Sequence, residues 1–165
     1  MTISPSFRLP TLALLGLPLI ILPMLAQPLT AAPSAAPAPK AAIAARQAGY
    51  KKMGAAMKAL NDQLKSGVPV KATMVAAAQT IAATAREQSR LFPAGSGPTA
   101  GVSTDALPNI WTDRATFDGQ MAKLIAESGK LVGVVNGGNV DAIRAQAKAT
   151  GGTCAGCHRQ FRADN

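Results

Sequence analysis

The chain is poor in aromatic residues, in acids and in metal-binding side chains. Only 4% of its 165 residues are aromatic, and 8 acids stand against 17 lysines and arginines. An all-β sandwich needs alternating β-branched and aromatic residues, so the composition argues against that class. Two cysteines and one histidine cannot form a four-ligand zinc site without carboxylates or a second chain. A Ser-His-Asp enzyme would have to use that one histidine, His158.

The apolar residues favour helices. The chain is 48% hydrophobic, and most of this fraction is alanine, leucine, valine and methionine, of which all but valine are good helix formers. A charged fraction of 15% with so many apolar residues excludes a disordered chain. The length is that of one domain, or of one domain behind a targeting segment.

The first 32 residues have the pattern of a secretory signal. Arg8 precedes an uncharged apolar run over residues 9–26, and small residues follow. Prolines interrupt the run, which favours cleavage over retention as a membrane anchor. We therefore expect export to a bacterial periplasm and no membrane span in the mature protein. The expected order is a signal over 1–32 cleaved within 26–36, a loose Pro/Ala arm over 33–40 and one folded domain over 41–165.

The formal charge of +9 predicts acidic protein partners, because a basic surface speeds encounter with acidic molecules. A purely solubilising role for this charge is the alternative. Nucleic acid is excluded as a partner, since the bases are scattered, aromatics are few and the protein is expected to be exported.

Four amphipathic segments predict an all-α fold. Apolar residues recur at steps of three and four over 41–65, 70–91, 110–135 and 140–162. The links are short except for a Gly- and Pro-rich stretch over 93–109, and a long link in a small domain usually covers something. We predict an antiparallel four-helix bundle with up-down-up-down order. Many inward positions are alanine, which lets helices approach closely or leaves room for a large flat group.

The fourth segment contains the pattern C-x-x-C-H at Cys154, Cys157 and His158, which is typical of covalent haem c attachment. Cysteines three apart on a helix share a face, so both sulfurs can bond the vinyl groups at one haem edge. His158 can present an imidazole nitrogen to the iron. A thioredoxin-like pair would need a βαβ context, and a disulfide here would close a very small loop.

A second axial ligand must come from upstream, because residues 159–165 contain no methionine or histidine. The candidates are Tyr50, Met53, Met57, another methionine, or no ligand. An open iron position would bind small gases.

Three stretches, at 46–53, 108–113 and 154–162, resemble the class II cytochromes c, which are the cytochrome c prime family and its low-spin, Met-ligated relatives. The resemblance implies that Cys154 and Cys157 hold the haem and that His158 binds the iron. Tyr50 falls at the distal position, where the low-spin relatives have methionine, which favours a five-coordinate iron. Further haem neighbours implied by the resemblance are Arg46 at a propionate, Gln47 beside the ring, Asp105, and Arg162 on the proximal side.

The same residues have ordinary structural interpretations. Without the resemblance, Tyr50 is more typical of a half-buried core aromatic with its hydroxyl satisfied, and Met53 and Met57 are more typical of core fillers than of ligands. Arg46 alone would be a solvated charge.

We therefore expect a redox carrier for acidic partner proteins, and not an enzyme. Nitric oxide or carbon monoxide binding is the alternative function. Peroxidase-like catalysis is a third, and the lack of a distal histidine for proton transfer argues against it. The resemblance also implies a homodimer formed through the first two helices.

Overall fold

The computed structural model describes residues 37–164, so the predicted signal and the first half of the predicted arm, residues 33–36, lie outside the described residues. Within that range it contains five α-helices and a short 3₁₀ turn at Pro98–Ala100. Residues 37–164 contain no β-strand and one isolated bridge, between Ala106 and Arg162. The all-α prediction is confirmed. The helices are α1 (Pro39–Lys65), α2 (Lys71–Gln88), α3 (Asn109–Thr112), α4 (Arg114–Gly137) and α5 (Val140–Phe161).

The four long helices pack as a ring in which α1 contacts α2 and α5, and α4 contacts α2 and α5. Hydrogen bonds between helix ends show in which direction neighbouring helices run. Lys71 at the start of α2 donates to the carbonyl of Asn136 at the end of α4. Arg144 in the first turns of α5 donates to the carbonyl of Leu64 at the end of α1. Both pairs are antiparallel, as the predicted four-helix bundle requires.

Three helix boundaries differ from the sequence-based expectation. Helix α1 begins at Pro39, because proline is well suited to the first turn, where its missing N–H is not needed. Helix α2 ends at Gln88 instead of 91, and Leu91 closes a turn with its N–H on the Gln88 carbonyl. The third segment is broken at Asp113, whose φ of −118° and ψ of 56° are not helical. It therefore forms the single turn α3 and the long helix α4.

The predicted apolar faces are the buried faces. In the third predicted segment, the residues that recur at helical spacing are buried, among them Ile110, Met121 and Leu131. On α2 the middle of the face is buried, whereas Val70 at its N-terminal end is 52% exposed. Alanines on α1 and α2 let these two helices approach closely, while larger side chains on α4 and α5 line a space on the other side of α1.

Candidate functional site

A cavity of about 720 Å³ lies among α1, α4, α5 and the link between α2 and α3. This volume falls within the range of cofactor pockets, roughly 300–1,000 Å³. All the residues predicted for the site line it. They are Arg46, Gln47, Tyr50, Asp105, Cys154, Cys157, His158 and Arg162.

Helix α5 brings the two cysteines to the cavity as free, half-buried thiols. Asn139 directly precedes the helix, and its side chain caps it by accepting from the N–H of Ala142 at 3.0 Å. Burial raises the pKa of the Cys154 thiol, and burial together with the neighbouring Cys154 raises the pKa of the Cys157 thiol to about 11. Both sulfurs are therefore protonated thiols at neutral pH.

His158 follows on the same helix and also lines the cavity, with its side chain partly exposed to solvent. Burial lowers the pKa of the imidazole, and the nearby positive charge of Arg162 lowers it further. At neutral pH the ring is therefore uncharged, which is the form that donates an electron pair to a metal.

Helix α1 forms the opposite wall. Tyr50 and Met53 lie one turn apart on its inner face, and Met57 lies one turn further on. The Tyr50 hydroxyl donates a weak hydrogen bond to Met121 Sδ on α4, at 4.0 Å. Burial raises the pKa of Tyr50, with smaller contributions from the two cysteines, so the phenol stays protonated. Phe117, Met121 and Leu124 of α4 form an apolar wall between the α1 and α5 sides of the cavity.

The remaining boundary is a segment that we call the strap, residues 91–106. Its Thr104, Asp105 and Ala106 line the cavity. Asp105 lies at the rim, where its carbonyl accepts from the N–H of Ala163 at 2.8 Å. Arg46 is buried between the strap and α1, so the interpretation of this residue as a solvated charge is wrong.

Several cavity residues were not foreseen from the sequence. Gly54 and Gly151 line it from α1 and α5, and a Cβ added to either would meet nothing within 4 Å. Lys51 lines it from the exposed side of α1. Helical periodicity marks Met121 and Phe117 as inward-facing, but it does not distinguish a cavity wall from a filled core.

The described part of the chain contains no group of three or more His, Cys, Asp or Glu side chains that could hold a bare metal ion. Among residues 37–164 no helix is both long and apolar enough to cross a membrane.

Comparison with known proteins identifies the family. The sequence profile of the family named Cytochrome C' matches residues 41–162. The chain belongs to the cytochrome c' family. The cytochrome c' of Rhodopseudomonas palustris is 35% identical over 122 residues, which are 73% of this chain and 81% of the relative.

Solved structures of the family agree with the fold. A cytochrome c' from Thermochromatium tepidum is 26% identical, with a TM-score of 0.74 over 79% of this chain and all of the other. A second cytochrome c', described as having a ligand-controlled dimer dissociation, is 26% identical with a TM-score of 0.73 over the same shares. Members of the family carry one covalent haem c.

The cavity suits such a group. Two free thiols and a neutral imidazole project from one helix into a space bounded by apolar side chains of α1 and α4. Thiols are the groups that bond haem vinyls in a C-x-x-C-H motif, and imidazole is a common axial ligand of haem iron. The donor set therefore fits a covalent haem with one protein-derived axial ligand on α5.

Proposed function

We propose that this protein is a periplasmic electron carrier in which His158 is the iron ligand and Cys154 and Cys157 form the thioether bonds. The observation that carries the proposal is the meeting of these three side chains at one large, mostly apolar cavity. Bound haem supplies one-electron chemistry and an axial position for small ligands. Cys154 and Cys157 would hold the haem, since each thiol would add its S–H across a vinyl group, with the sulfur on one carbon and the hydrogen on the other and no oxidant needed.

The chain's own residues would hold the group in a dry pocket. Phe117 and Leu124 would keep water from the bound group, and Tyr50 on α1 would lie on the side away from His158, where a second ligand would approach. The low-spin relatives that this chain resembles have methionine where it has Tyr50, and this difference supports an open distal position. The methionines nearest to Tyr50 are Met53, one turn away, and Met121, its hydrogen-bond partner.

Spectra of the purified protein test this proposal. Expressed in a host that attaches haem c, the protein should keep its red colour after denaturation and acid–organic extraction. Replacing both cysteines by serine should abolish that retention. His158→Ala should keep the covalent colour but change the iron spin signals. A colourless wild-type protein with two free thiols would contradict covalent haem attachment. A low-spin ferric spectrum with a methionine–iron band would contradict the open distal position.

The positive charge at the cavity rim supports an acidic redox protein as the partner. The exposed Lys51 and Arg162 lie at the rim together with Asp105, which leaves a positive balance. Lys52 is the next residue of α1, but it lines a separate groove between α1 and α2. Lys51→Glu and Lys52→Glu change the net charge equally, so a difference between them reports on position.

The measurement is oxidation of the reduced protein by hexacyanoferrate(III), which takes one electron and becomes hexacyanoferrate(II). At low salt Lys51→Glu should slow this reaction about three- to tenfold more than Lys52→Glu, and added salt should remove the difference. The cationic oxidant hexaammineruthenium(III) should show the reverse order. Equal effects of the two variants would assign the steering to net charge alone.

Binding of nitric oxide or carbon monoxide is the second candidate function. Its support is Tyr50, which lines the cavity from α1 and which, by the sequence resemblance, replaces the methionine of the Met-ligated relatives. Tyr50→Ala should raise the carbon monoxide association rate by removing the side chain from the path of the ligand. Tyr50→Phe, which keeps the ring, is the control. An unchanged rate in Tyr50→Ala would show that Tyr50 is not on the distal side.

A homodimer formed by α1 and α2 is supported by a groove on the outer side of these helices. It is lined by the small, exposed residues Ala45 and Ala48, over which another helix could approach closely. A similar cytochrome c' is described as having a ligand-controlled dimer dissociation, and this analogy also supports a dimer. Ala48→Arg should shift the sedimentation coefficient from dimer to monomer. An identical coefficient for both proteins would contradict the proposed face.

Export also remains a proposal. The mature N-terminus, read by mass spectrometry after expression in a Gram-negative host, should lie within 26–36. A full-length chain that stays with the membrane fraction would contradict cleavage.

A further inference from the structure

Arg46 is a charged residue that the fold buries almost completely, with 2% of its surface exposed. Its Nη2 donates to Ser96 O and to Thr104 Oγ1, each at 2.7 Å. Its Nη1 donates to Ser96 Oγ at 3.1 Å and makes a longer contact of 3.5 Å with Leu91 O. All four bonds end on uncharged oxygens of the strap, so both terminal nitrogens of the guanidinium are engaged by one segment.

Two aromatic rings complete the surroundings of this guanidinium. Arg46 Cζ lies 4.9 Å from the ring centre of Phe92 and 5.9 Å from that of Trp111. A buried charge needs such compensation, because it has lost its hydration. Ring faces and oriented carbonyls supply it here. The residue is therefore held from several directions, and turning it away from the strap would leave these partners unsatisfied.

The Arg46 contacts organise the rest of the strap. Thr104 Oγ1, which accepts from Arg46, also accepts from the N–H of Ala106 at 3.2 Å. Ser96 Oγ donates to Pro93 O at 2.8 Å, which closes the turn at the other end. Gln47, next to Arg46 on α1, donates to Ser103 O at 3.0 Å. Arg46 and Gln47 thus fasten both the Ser96 part and the Thr104 part of the strap to α1.

The C-terminal end of the strap is also fastened to the C-terminal end of α5 and the residues after it. Leu107 N donates to Phe161 O at 3.0 Å, and Ala163 N donates to Asp105 O at 2.8 Å. The strap therefore crosses from α1 to the helix that carries His158. Thr104, Asp105 and Ala106 form part of the cavity boundary along this crossing.

We infer that Arg46 is a positioning residue: its guanidinium fixes the strap across the mouth of the cavity and so sets how easily solvent and small ligands enter. This role differs from the propionate contact that the family resemblance implies, because the two terminal nitrogens of Arg46 are engaged by Ser96, Thr104 and Leu91. The part of the inference that concerns ligand entry rests on the proposed haem site. The part that concerns the strap rests on the described contacts alone.

Amide hydrogen exchange of the protein as purified tests the strap directly. Arg46→Gln should speed exchange of the Ser96 and Ala106 amides by about tenfold or more, because a buried hydrogen-bond network is lost. Thr104→Val removes the acceptor on the strap side, and it should speed exchange at Ser96, which is distant from the substitution. Arg86→Gln on the exposed face of α2 is the charge-matched control and should leave both amides unchanged.

A double variant tests whether Arg46 acts through the strap or by a separate contact, such as one with a propionate. If the residue acts through the strap, Arg46→Gln with Thr104→Val should exchange no faster at Ser96 than Arg46→Gln alone, since the two changes remove one network. Carbon monoxide association in the haem-loaded protein should rise several-fold in both single variants. Arg46→Lys, which keeps the charge but not the planar fork, should resemble Arg46→Gln.

Strap amides that exchange no faster in Arg46→Gln than in Arg86→Gln would overturn the inference. So would rescue of wild-type exchange and carbon monoxide rates by Arg46→Lys, because a charge at a propionate is all that lysine retains. If haem proves to be absent, the exchange measurements still decide the role of Arg46, so the two failures are distinguishable. If Arg46→Gln does not fold, Thr104→Val carries the test, and unchanged exchange at Ser96 would then overturn the inference.

Discussion

Gly49 of α1 lies directly against the carboxamide of Gln88 on α2. A Cβ added at Gly49 would overlap Gln88 Nε2 and lie 3.1 Å from Cδ of the same side chain. Gln88 is 1% exposed, so its amide has little room to move aside. The glycine therefore sets how closely the first two helices approach.

Gly49→Ala should destabilise the protein by about 1–2 kcal/mol. Overpacking costs about 1–3 kcal/mol, and the better helix propensity of alanine returns up to about 1 kcal/mol. In a Gln88→Ala background the overlap is gone, so the same substitution should stabilise. Urea unfolding of the four proteins of this cycle measures both effects. A destabilising Gly49→Ala in the second background would contradict the packing explanation.

Phe117 connects two other aromatic rings in the core. Its ring centre is 4.6 Å from that of Phe92 and 5.3 Å from that of Phe161, both in edge-to-face geometry. Because Phe117 is buried and joins α4 to the strap and to α5, Phe117→Ala should cost about 3–5 kcal/mol. Phe117→Leu should cost much less. Denaturant unfolding gives both values, and a loss below about 1 kcal/mol for alanine would contradict this placement.

Asn139 caps the helix that carries the cysteines and the histidine. Its Oδ1 accepts from Ala142 N at 3.0 Å, directly after the left-handed Gly138 with a φ of 79°. Asn139→Ala should therefore cost about 1 kcal/mol, whereas Asn139→Asp should be close to neutral. Thermal unfolding measures the difference. Equal losses in the two variants would mean that the side chain does not act as a cap.

The hydrogen bonds of the Glu127 carboxylate make part of the protein's folding stability sensitive to acid. Its carboxylate accepts from Lys130 Nζ and Gln146 Nε2, both at 2.7 Å, and these hydrogen bonds, that of Lys130 first, lower its pKa below the ordinary value of 4.5. Because the folded pKa is the lower one, the contribution to stability is complete above the unfolded pKa. It is lost as the pH falls through the folded value.

Glu127→Gln should remove this component, so its stability should fall less steeply than that of the wild type as the pH drops below about 4.5. Glu87→Gln, on the exposed face of α2, is the control variant. Unfolding free energies measured across the acid range compare the three proteins. Parallel pH profiles for wild type and Glu127→Gln would contradict the assignment.

The four-helix fold could be predicted because its signals are local and periodic. Met121 and Leu124 follow a helical step on a face that the structure buries. The break at Asp113 could not be predicted in this way, since Trp111, Thr112 and Arg114 continue an acceptable helical sequence. It depends instead on distant contacts, such as the hydrogen bond from Arg114 Nη1 to Phe92 O at 3.0 Å.

The candidate site was predicted in the same uneven manner. Cys154, Cys157 and His158 form a short motif whose spacing has a chemical reason, so they could be found without a structure. The surroundings of Arg46 could not be found, because its acceptors lie about 50 residues away along the chain, in a Gly- and Pro-rich link with no helical period. Nothing in the sequence pairs Arg46 with Ser96 or Thr104.

The single tryptophan of the chain has an unusual location. Trp111 packs against Gly97, where an added Cβ would lie 3.1 Å from Cζ3, and its Nε1 donates to Pro93 O at 3.0 Å. The indole emission of this protein thus originates from one fluorophore held against the strap. Its wavelength and lifetime give a label-free optical record of how that segment moves, and a bound porphyrin would quench it by energy transfer.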